Sequence, residues 1–456
     1  KLSNKKSNLI VFSDDMDGLR KIPENIPNKE LIKEHINKSL SNIPDPFNEF
    51  SSFSEHNNKK LNDFLKRFEF VYDFKSATEL YKGGFFNSGL IKILENYESI
   101  RNLILPTLGK ERRKTYSPFL PICKETGKVL EVRIENIDLN SNELEYICPV
   151  TNKIVSNSIL NGHCKLQWKV DWAMRWFVLD IDYEMNGKDL IESFQLSSKI
   201  NKIIGGIPPN NLTYELFLDQ KGEKISKSIG NGISVDQWLE VSTKESLELF
   251  MYQAPRKAKR LFFDVIPKTT DEYIKFKLSY NKQADNEKLN NPLWFIKDKN
   301  TENLPDGLTF NMILNLASVC NAENTNVLWG FIVSYYPQIK KNENKFLGKL
   351  LELGVAYYKK FILPIKKYRM PTEKEKLGFE KLLSELKIIS ENTTAKEIQN
   401  LFYKIGKDFE FSNLRDWFGA FYEVILGQKE GPRLGSFINF YSLDRTIKLI
   451  EEKLKN

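Results

Sequence analysis

The stretch Asp219-Gln220-Lys221-Gly222-Glu223-Lys224-Ile225-Ser226-Lys227-Ser228-Ile229-Gly230-Asn231 follows a predicted strand, Leu212-Thr213-Tyr214-Glu215-Leu216-Phe217, and precedes a helical pattern. Two lysines three apart, set among hydroxyls and glycines, make a cationic loop that can change shape. At the end of a sheet strand such a loop can close over a triphosphate and neutralise the charge that collects on departing pyrophosphate. A short Lys/Ser run alone is more often a solvated turn. The strand before it favours the phosphate reading, which makes Lys224, Ser226, Lys227 and Ser228 the candidate catalytic residues.

Upstream, Phe177-Val178-Leu179-Asp180-Ile181 reads as a strand and about Leu190 to Ile204 as a helix, which with Leu212 to Phe217 gives the strand-helix-strand unit of a parallel α/β sheet. The run Asn8-Leu9-Ile10-Val11-Phe12 reads as a buried strand ending in the acidic loop Ser13-Asp14-Asp15-Met16-Asp17-Gly18. Functional groups in open α/β sheets collect at such strand ends. Residues 75 to 105 carry helical spacing broken at Gly83-Gly84, and Tyr116 to Cys164 breaks into short strand-like pieces such as Val129 to Ile134. After about Asp236 the chain is helical to its end, as in Lys345 to Lys360 and Ser442 to Lys455, with an Asn/Lys-rich surface connection at 283 to 302.

The chain has 456 residues, enough for two or three domains. Its 68 basic and 60 acidic residues leave a formal charge of +8, compatible with an RNA partner without requiring one. No apolar run approaches the ~20 residues that span a bilayer, and the first residues lack a secretory core, so a soluble, cytoplasmic protein without membrane or DNA partners is expected. The cysteines, Cys123, Cys148, Cys164 and Cys320, are too few for a disulfide scaffold. Cys123-Lys124-Glu125-Thr126-Gly127 and Cys148-Pro149-Val150-Thr151-Asn152 have the outline of zinc-ribbon knuckles in which Thr replaces the second cysteine. A hydroxyl does not replace a thiolate, so a degenerate ribbon without zinc is expected even with His163 and Cys164 nearby.

The Lys224 to Ser228 pentapeptide resembles the K-M-S-K-S signature of class I aminoacyl-tRNA synthetases, with Ile at the second position. Its flanks Tyr214 to Asp219 and Gly230-Asn231-Gly232-Ile233-Ser234 resemble the class I lysyl-tRNA synthetase family. So do Gly162-His163-Cys164-Lys165-Leu166-Gln167-Trp168-Lys169-Val170-Asp171-Trp172-Ala173-Met174-Arg175-Trp176, Ser13 to Lys21, and Leu426 to Gly435. The resemblance covers nearly the whole chain. It implies an α/β, Rossmann-like catalytic domain over 1–222 with a small β-rich insertion at about 75–165. A junction carrying the K-M-S-K-S loop over 223–300 and an all-α anticodon-binding domain over 301–456 would follow. The implied reaction uses ATP, Mg2+, L-lysine and tRNA(Lys).

By that resemblance Lys224 and Lys227 grip the phosphates, while Gly187-Lys188-Asp189 form the sugar-binding turn, glycine admitting the ribose and Asp189 accepting its hydroxyls. Lysine needs an anionic or aromatic surface for its ammonium and an apolar slot for its methylenes. Trp168, Asp171 and Tyr214 are the candidates, with Trp172 beside them, and Asp14, Asp15 and Asp17 are candidates to orient the amino group or the acceptor end. Leu190 stands where many members of the family carry His. Three tryptophans within nine residues are also the composition of a core. Lys366, Lys367, Arg369, Arg433, Tyr368 and Trp417 are the candidate tRNA contacts. The paired-histidine motif of the class is absent, because His35, His56 and His163 stand apart. The expectation is that an upstream segment carries it and that the chain alone lacks full activity. A glutamyl or arginyl enzyme of the same subclass, and an inactive tRNA-binding remnant, are the competing readings.

Overall fold

The apolar run near the start forms β1 (Ile10–Ser13), which pairs in parallel with β2 (Asp73–Ser76), Ile10 opposite Asp73. Parallel neighbours need a crossover. The helix Phe53–Arg67 provides it, its first turn capped by the Ser52 hydroxyl, which accepts the Glu55 amide. The computed structural model describes residues 6–225, 232–296, 302, 304–340, 343–390, 393–411, 413–431 and 433–455. Ser226, Lys227 and Ser228 lie outside them. The chain divides into two units, Lys1–Leu216 and Phe217–Asn456.

In the first unit the helical spacing of 75–105 becomes three helices, Ala77–Lys82, Asn87–Glu95 and Tyr97–Ile104. The β structure of the expected insertion is therefore confined to its later part. There β3 (Phe119–Pro121) pairs antiparallel with β7 (Cys164–Leu166), around a meander of β4 (Asn136–Asp138), β5 (Glu143–Ile147) and β6 (Ile154–Ser158). Val129 to Ile134 is not a strand; Val129 makes only an isolated bridge to Ile122. Leu130 and Val132 alternate inward onto Cys123, Tyr146 and Cys148, so the two-residue period reported burial and not a ladder.

Phe177 to Ile181 is likewise not a strand. The helix Trp168–Val178 runs through its start and closes on left-handed Asp180, with the Ile181 amide donating to the Trp176 carbonyl at 3.1 Å. A short apolar run does not distinguish a buried helix end from a buried strand. The strand begins later, as β8 (Tyr183–Gly187), and pairs in parallel with β9 (Asn210–Tyr214) across the helix Ile191–Ile203. The first unit's core joins Tyr81, Phe86, Ile93 and Ile100 to Phe119, Leu166, Val170, Met174 and Ile200, so the early helices, the β3/β7 pair and the two later helices share one interior.

The second unit opens with β10 (Phe217–Leu218), paired in parallel with β11 (Lys259–Arg260). Its other described elements are helices, among them Lys244–Tyr252, Val265–Lys282, Phe310–Val319, Lys345–Tyr357, Glu373–Leu386, Ala395–Asp408, Leu414–Phe421, Leu434–Tyr441 and Leu443–Lys455. Thr372 with Glu375, and Thr394 with Glu397, form reciprocal capping boxes that start two of them. A core of Phe379, Phe402, Trp417, Phe421, Ile438 and Ile450 binds the last five helices together. Gly435 lets the helices of 395–408 and 434–441 touch, because a Cβ there would stand 2.0 Å from the Ala395 carbonyl oxygen. Backbone cannot give way as a side chain can, so Gly435→Ala is expected to cost about 1–3 kcal/mol, read as a lowered urea midpoint. Among the described residues no helix is long and apolar enough to cross a membrane.

Candidate functional site

The acidic loop after β1 is held by buried partners from distant segments. The Asp15 carboxylate, 4% exposed, accepts the Thr78 amide at 2.7 Å, the Ser76 hydroxyl at 2.5 Å and the Asn58 amide at 3.1 Å. It is therefore a brace for the ends of β1 and β2. Asp14 and Asp17 stay about half exposed, paired with Arg175 and Lys165. Arg175 also pairs with Asp171, whose other oxygen accepts the Tyr81 hydroxyl. That hydroxyl in turn accepts the Leu166 amide at 3.2 Å, and the Arg175 guanidinium lies 3.8 Å from the centre of the Phe12 ring.

This network is costly to bury and its charges shift accordingly. Burial pushes the Tyr81 hydroxyl well up, with Asp171 adding to it. Burial pulls the Lys165 ammonium down despite Asp171 and Asp14. Burial also disfavours the Arg175 cation, but Asp171 and Asp14 more than offset it, and its pKa rises. Asp171, proposed from sequence for lysine binding, is 1% exposed with both oxygens engaged. In this structure it neutralises Arg175 and presents no open face.

Above the network lies a cavity of about 740 Å3 lined by Asp17, Arg20, Glu131, Lys165, Gln167 and Trp168. The three tryptophans divide. Trp172 and Trp176 are buried, and their indole N–H groups both donate to Glu184 of β8, at 3.2 and 2.9 Å. Trp168 stacks on Trp172 at 4.8 Å but is 40% exposed, which leaves one of its faces for a ligand. Tyr214, 39% exposed, does not line this cavity; it stands opposite Gly187 in the β8/β9 register. A Cβ on Gly187 would lie 2.7 Å from an Asp189 carboxylate oxygen and 3.5 Å from the Tyr214 ring. The absence of a side chain is what lets Gly187, Asp189 and Tyr214 converge. Lys188 points to Glu215 at 2.8 Å, a bond that lowers the Glu215 pKa.

In the second unit the start of the lysine loop is a tight hairpin. Asp219 accepts the Lys221 and Glu223 amides, both at 2.9 Å, and Lys224 bridges back to Leu218. Farther on, a cavity of about 1200 Å3 is lined by Lys268, Lys366, Lys367, Tyr368, Arg369 and Gln428, among others. Two one-turn π-helical segments, Tyr358–Ile362 and Tyr422–Leu426, supply Ile362 and Glu423 to its wall. Such turns are frequent at functional sites.

Lys366 donates to the Ser318 carbonyl and, at 2.9 Å, to Asn321, and burial, with Lys453 nearby, brings its pKa down to about 8. Arg369 is a clamp, bidentate to Glu375 at 2.7 and 2.8 Å and bonded to Glu423 at 2.5 Å. Arg433 is exposed at the start of the helix Leu434–Tyr441. Trp417 is not available to RNA: it is fully buried, its indole donating to the Phe402 carbonyl at 3.0 Å. An isolated Trp in an aromatic-rich helix fits a core as well as a surface, and here the Phe379 and Phe402 rings claim it.

The knuckle turns keep their backbone. Gly127 and Asn152, both left-handed, donate to the Cys123 and Cys148 carbonyls at 2.8 Å. Cys164 lies in a different core cluster, and among the described residues no three His, Cys, Asp or Glu side chains converge on a metal position. Lys165, Arg175, Tyr81 and Glu184 were missed by sequence reasoning. The one local signal was Asp171 and Arg175 four apart on a helix otherwise rich in tryptophan.

The family model for class I (K) tRNA synthetases matches residues 1–300. The lysine–tRNA ligases of Rickettsia bellii (strain OSU 85-389) and Rickettsia felis are each 49% identical over 455 residues, which is 99% of this chain and 87% and 86% of theirs. That of Rickettsia rickettsii (strain Sheila Smith) is 48% identical over the same length. A solved glutamate-tRNA synthetase from Elizabethkingia anophelis aligns with 99% of this chain and 100% of its own at 10% identity, with a TM-score of 0.39, a loose likeness that says nothing about substrate. With a family match over 300 residues and near-half identity along its whole length to three such enzymes, the chain belongs to the class I (K) tRNA synthetases.

Proposed function

We propose that this chain is a lysine–tRNA ligase working in the cytoplasm: it joins L-lysine to ATP as lysyl-adenylate with release of pyrophosphate, then transfers lysine to the terminal adenosine of tRNA(Lys). The observation that carries this is the 49% identity over 99% of the chain to lysine–tRNA ligases. In the first step the lysine carboxylate attacks the α-phosphate of ATP and negative charge moves onto the leaving pyrophosphate. Lys224 and Lys227 neutralise that charge, with Ser226 and Ser228 donating hydrogen bonds. Gly187 and Asp189 receive the ribose. Trp168 offers its exposed face to the lysine side chain, Tyr214 is assigned to lysine from the Gly187 side, and Asp17 and Asp14 attract its ammonium groups.

Bound together with ATP, Mg2+ would supply counter-charge to the phosphates. The first unit is read as a Rossmann-like catalytic domain on the strength of its two parallel strand pairs with helical crossovers. The helical part of the second unit is read as the anticodon-binding domain, with Lys366, Lys367 and Tyr368 of its cavity and exposed Arg433 meeting the RNA. Arg369 holds the cavity wall through Glu375 and Glu423. The direct test is charging of a tRNA(Lys) transcript with labelled lysine by the complete gene product. Lysine on the 3′ end supports the proposal, and binding without charging contradicts it.

Lys366 makes tRNA affinity depend on pH. With its pKa brought down to about 8, the ammonium is present at pH 7 and mostly lost at pH 9, so affinity falls across that interval. Filter binding at fixed salt is expected to show the fall in the wild type and a flatter profile in Lys366→Met. The dependence of log affinity on log salt is expected to be shallower by about 1 in the variant.

A further inference from the structure

We propose that Arg260 is a phosphate-binding residue of the Lys224 turn, holding the pyrophosphate end of the nucleotide together with Lys224. This rests on the reading that the turn binds ATP. Nothing in the motif points to Arg260, which lies 36 residues beyond Lys224 in sequence. The strand pairing brings the two together. Leu218 is opposite Arg260 on the parallel β10/β11 ladder and bridges antiparallel to Lys224 on its other side. The Leu261 amide donates to the Leu218 carbonyl at 2.7 Å and the Ile225 amide to the Phe217 carbonyl at 3.2 Å, which fixes both neighbours.

Residues in register across adjacent strands point to the same face, and neighbouring strands lie about 4.8 Å apart. Lys224 and Arg260 therefore rise from one face with roughly 10 Å between their Cα atoms. Their long side chains can converge on one pyrophosphate from that separation. The guanidinium already leans over the turn: a Cβ built on Gly222, whose φ of +89° suits glycine, would stand 3.6 Å from Arg260 Nη2. Arg260 is exposed, and among the described residues it makes no ion pair. By contrast the next residue back, Lys259, is absorbed by the fold, donating at 2.6 Å to the Gln253 carbonyl and also to that of Phe250.

The exposed Arg260 guanidinium stands beside a turn that carries Lys221 and Lys224 against Asp219 and Glu223. Its planar fork suits two phosphate oxygens, which a lysine cannot match. Arg256 and Lys257 carry the same charge in the segment leading into β11, but nothing places them against the turn, so they serve as controls.

The test is calorimetric titration of the complete gene product with inorganic pyrophosphate, for wild type, Arg260→Ala, Arg260→Lys and Lys257→Ala, beside lysine-dependent pyrophosphate exchange and filter binding of tRNA. Circular dichroism confirms that each variant is folded. Arg260→Ala is expected to weaken pyrophosphate binding and raise the KM for ATP by about ten- to a hundredfold. Arg260→Lys should recover part of that, while Lys257→Ala and the tRNA affinity of all variants stay within about twofold. Unchanged pyrophosphate binding in Arg260→Ala overturns the proposal, as does wild type that binds no pyrophosphate. A loss confined to tRNA binding overturns it too, assigning the guanidinium to RNA phosphate. Should wild type bind pyrophosphate but activate no lysine, the lysine reading fails while the titration still decides the role of Arg260.

Discussion

Lys227→Ala is expected to slow lysine-dependent pyrophosphate exchange by the complete gene product by about two to three orders of magnitude, with tRNA affinity kept within about twofold. The size follows from when the interaction is made. Charge on the β-phosphate side grows only as the bond to pyrophosphate breaks, so an ammonium placed there stabilises the transition state more than bound ATP. The KM for ATP should therefore move less than kcat. Exchange assays at saturating ATP and lysine give the first quantity and filter binding of tRNA the second. An equal loss of tRNA affinity would assign Lys227 to RNA binding or to folding, and the phosphate role would fall.

Asp171→Ala is expected to cost the first unit about 3–5 kcal/mol, because it leaves the Arg175 guanidinium, itself 7% exposed, without its buried counter-charge. The half-exposed Asp14 remains, but it reaches Arg175 from the solvent side and cannot accept the Tyr81 hydroxyl as well. Replacing both members, Asp171→Leu with Arg175→Met, removes the stranded charge along with the pair. That double variant is expected to recover most of the loss, while lysine activation falls because Asp14 is no longer held. Urea unfolding of the three proteins measures the ordering. A single variant as stable as wild type would mean that the pair carries no weight in the fold.

These two residues mark where the sequence was readable and where it was not. Local order was legible when one periodicity dominated. The apolar run before the acidic loop became β1, the spacing from Leu190 became the helix Ile191–Ile203, and that from Ser442 became Leu443–Lys455. It failed where two structures bury the same pattern. Phe177 and Val178 close a helix, and Leu130 and Val132 face inward without a strand.

At the site, residue type could nominate Trp168, Trp172 and Tyr214 but could not rank them. What separates Trp168 from Trp172 is Glu184, 12 residues beyond Trp172, whose carboxylate draws the Trp172 and Trp176 indoles inward. Asp171 looked like a substrate carboxylate because its partners, Tyr81 and Arg175, are fixed by folding and one lies 90 residues away. Arg260 escaped notice for the same reason: its link to the lysine loop is a strand pairing, and spacing along the chain does not show it.

The central claim is that this chain activates lysine, and amino-acid-dependent exchange of labelled pyrophosphate into ATP tests it most directly. With the complete gene product, lysine is predicted to support exchange while glutamate and arginine, at equal concentration, give no more than background. Exchange with glutamate or arginine and none with lysine would contradict the account.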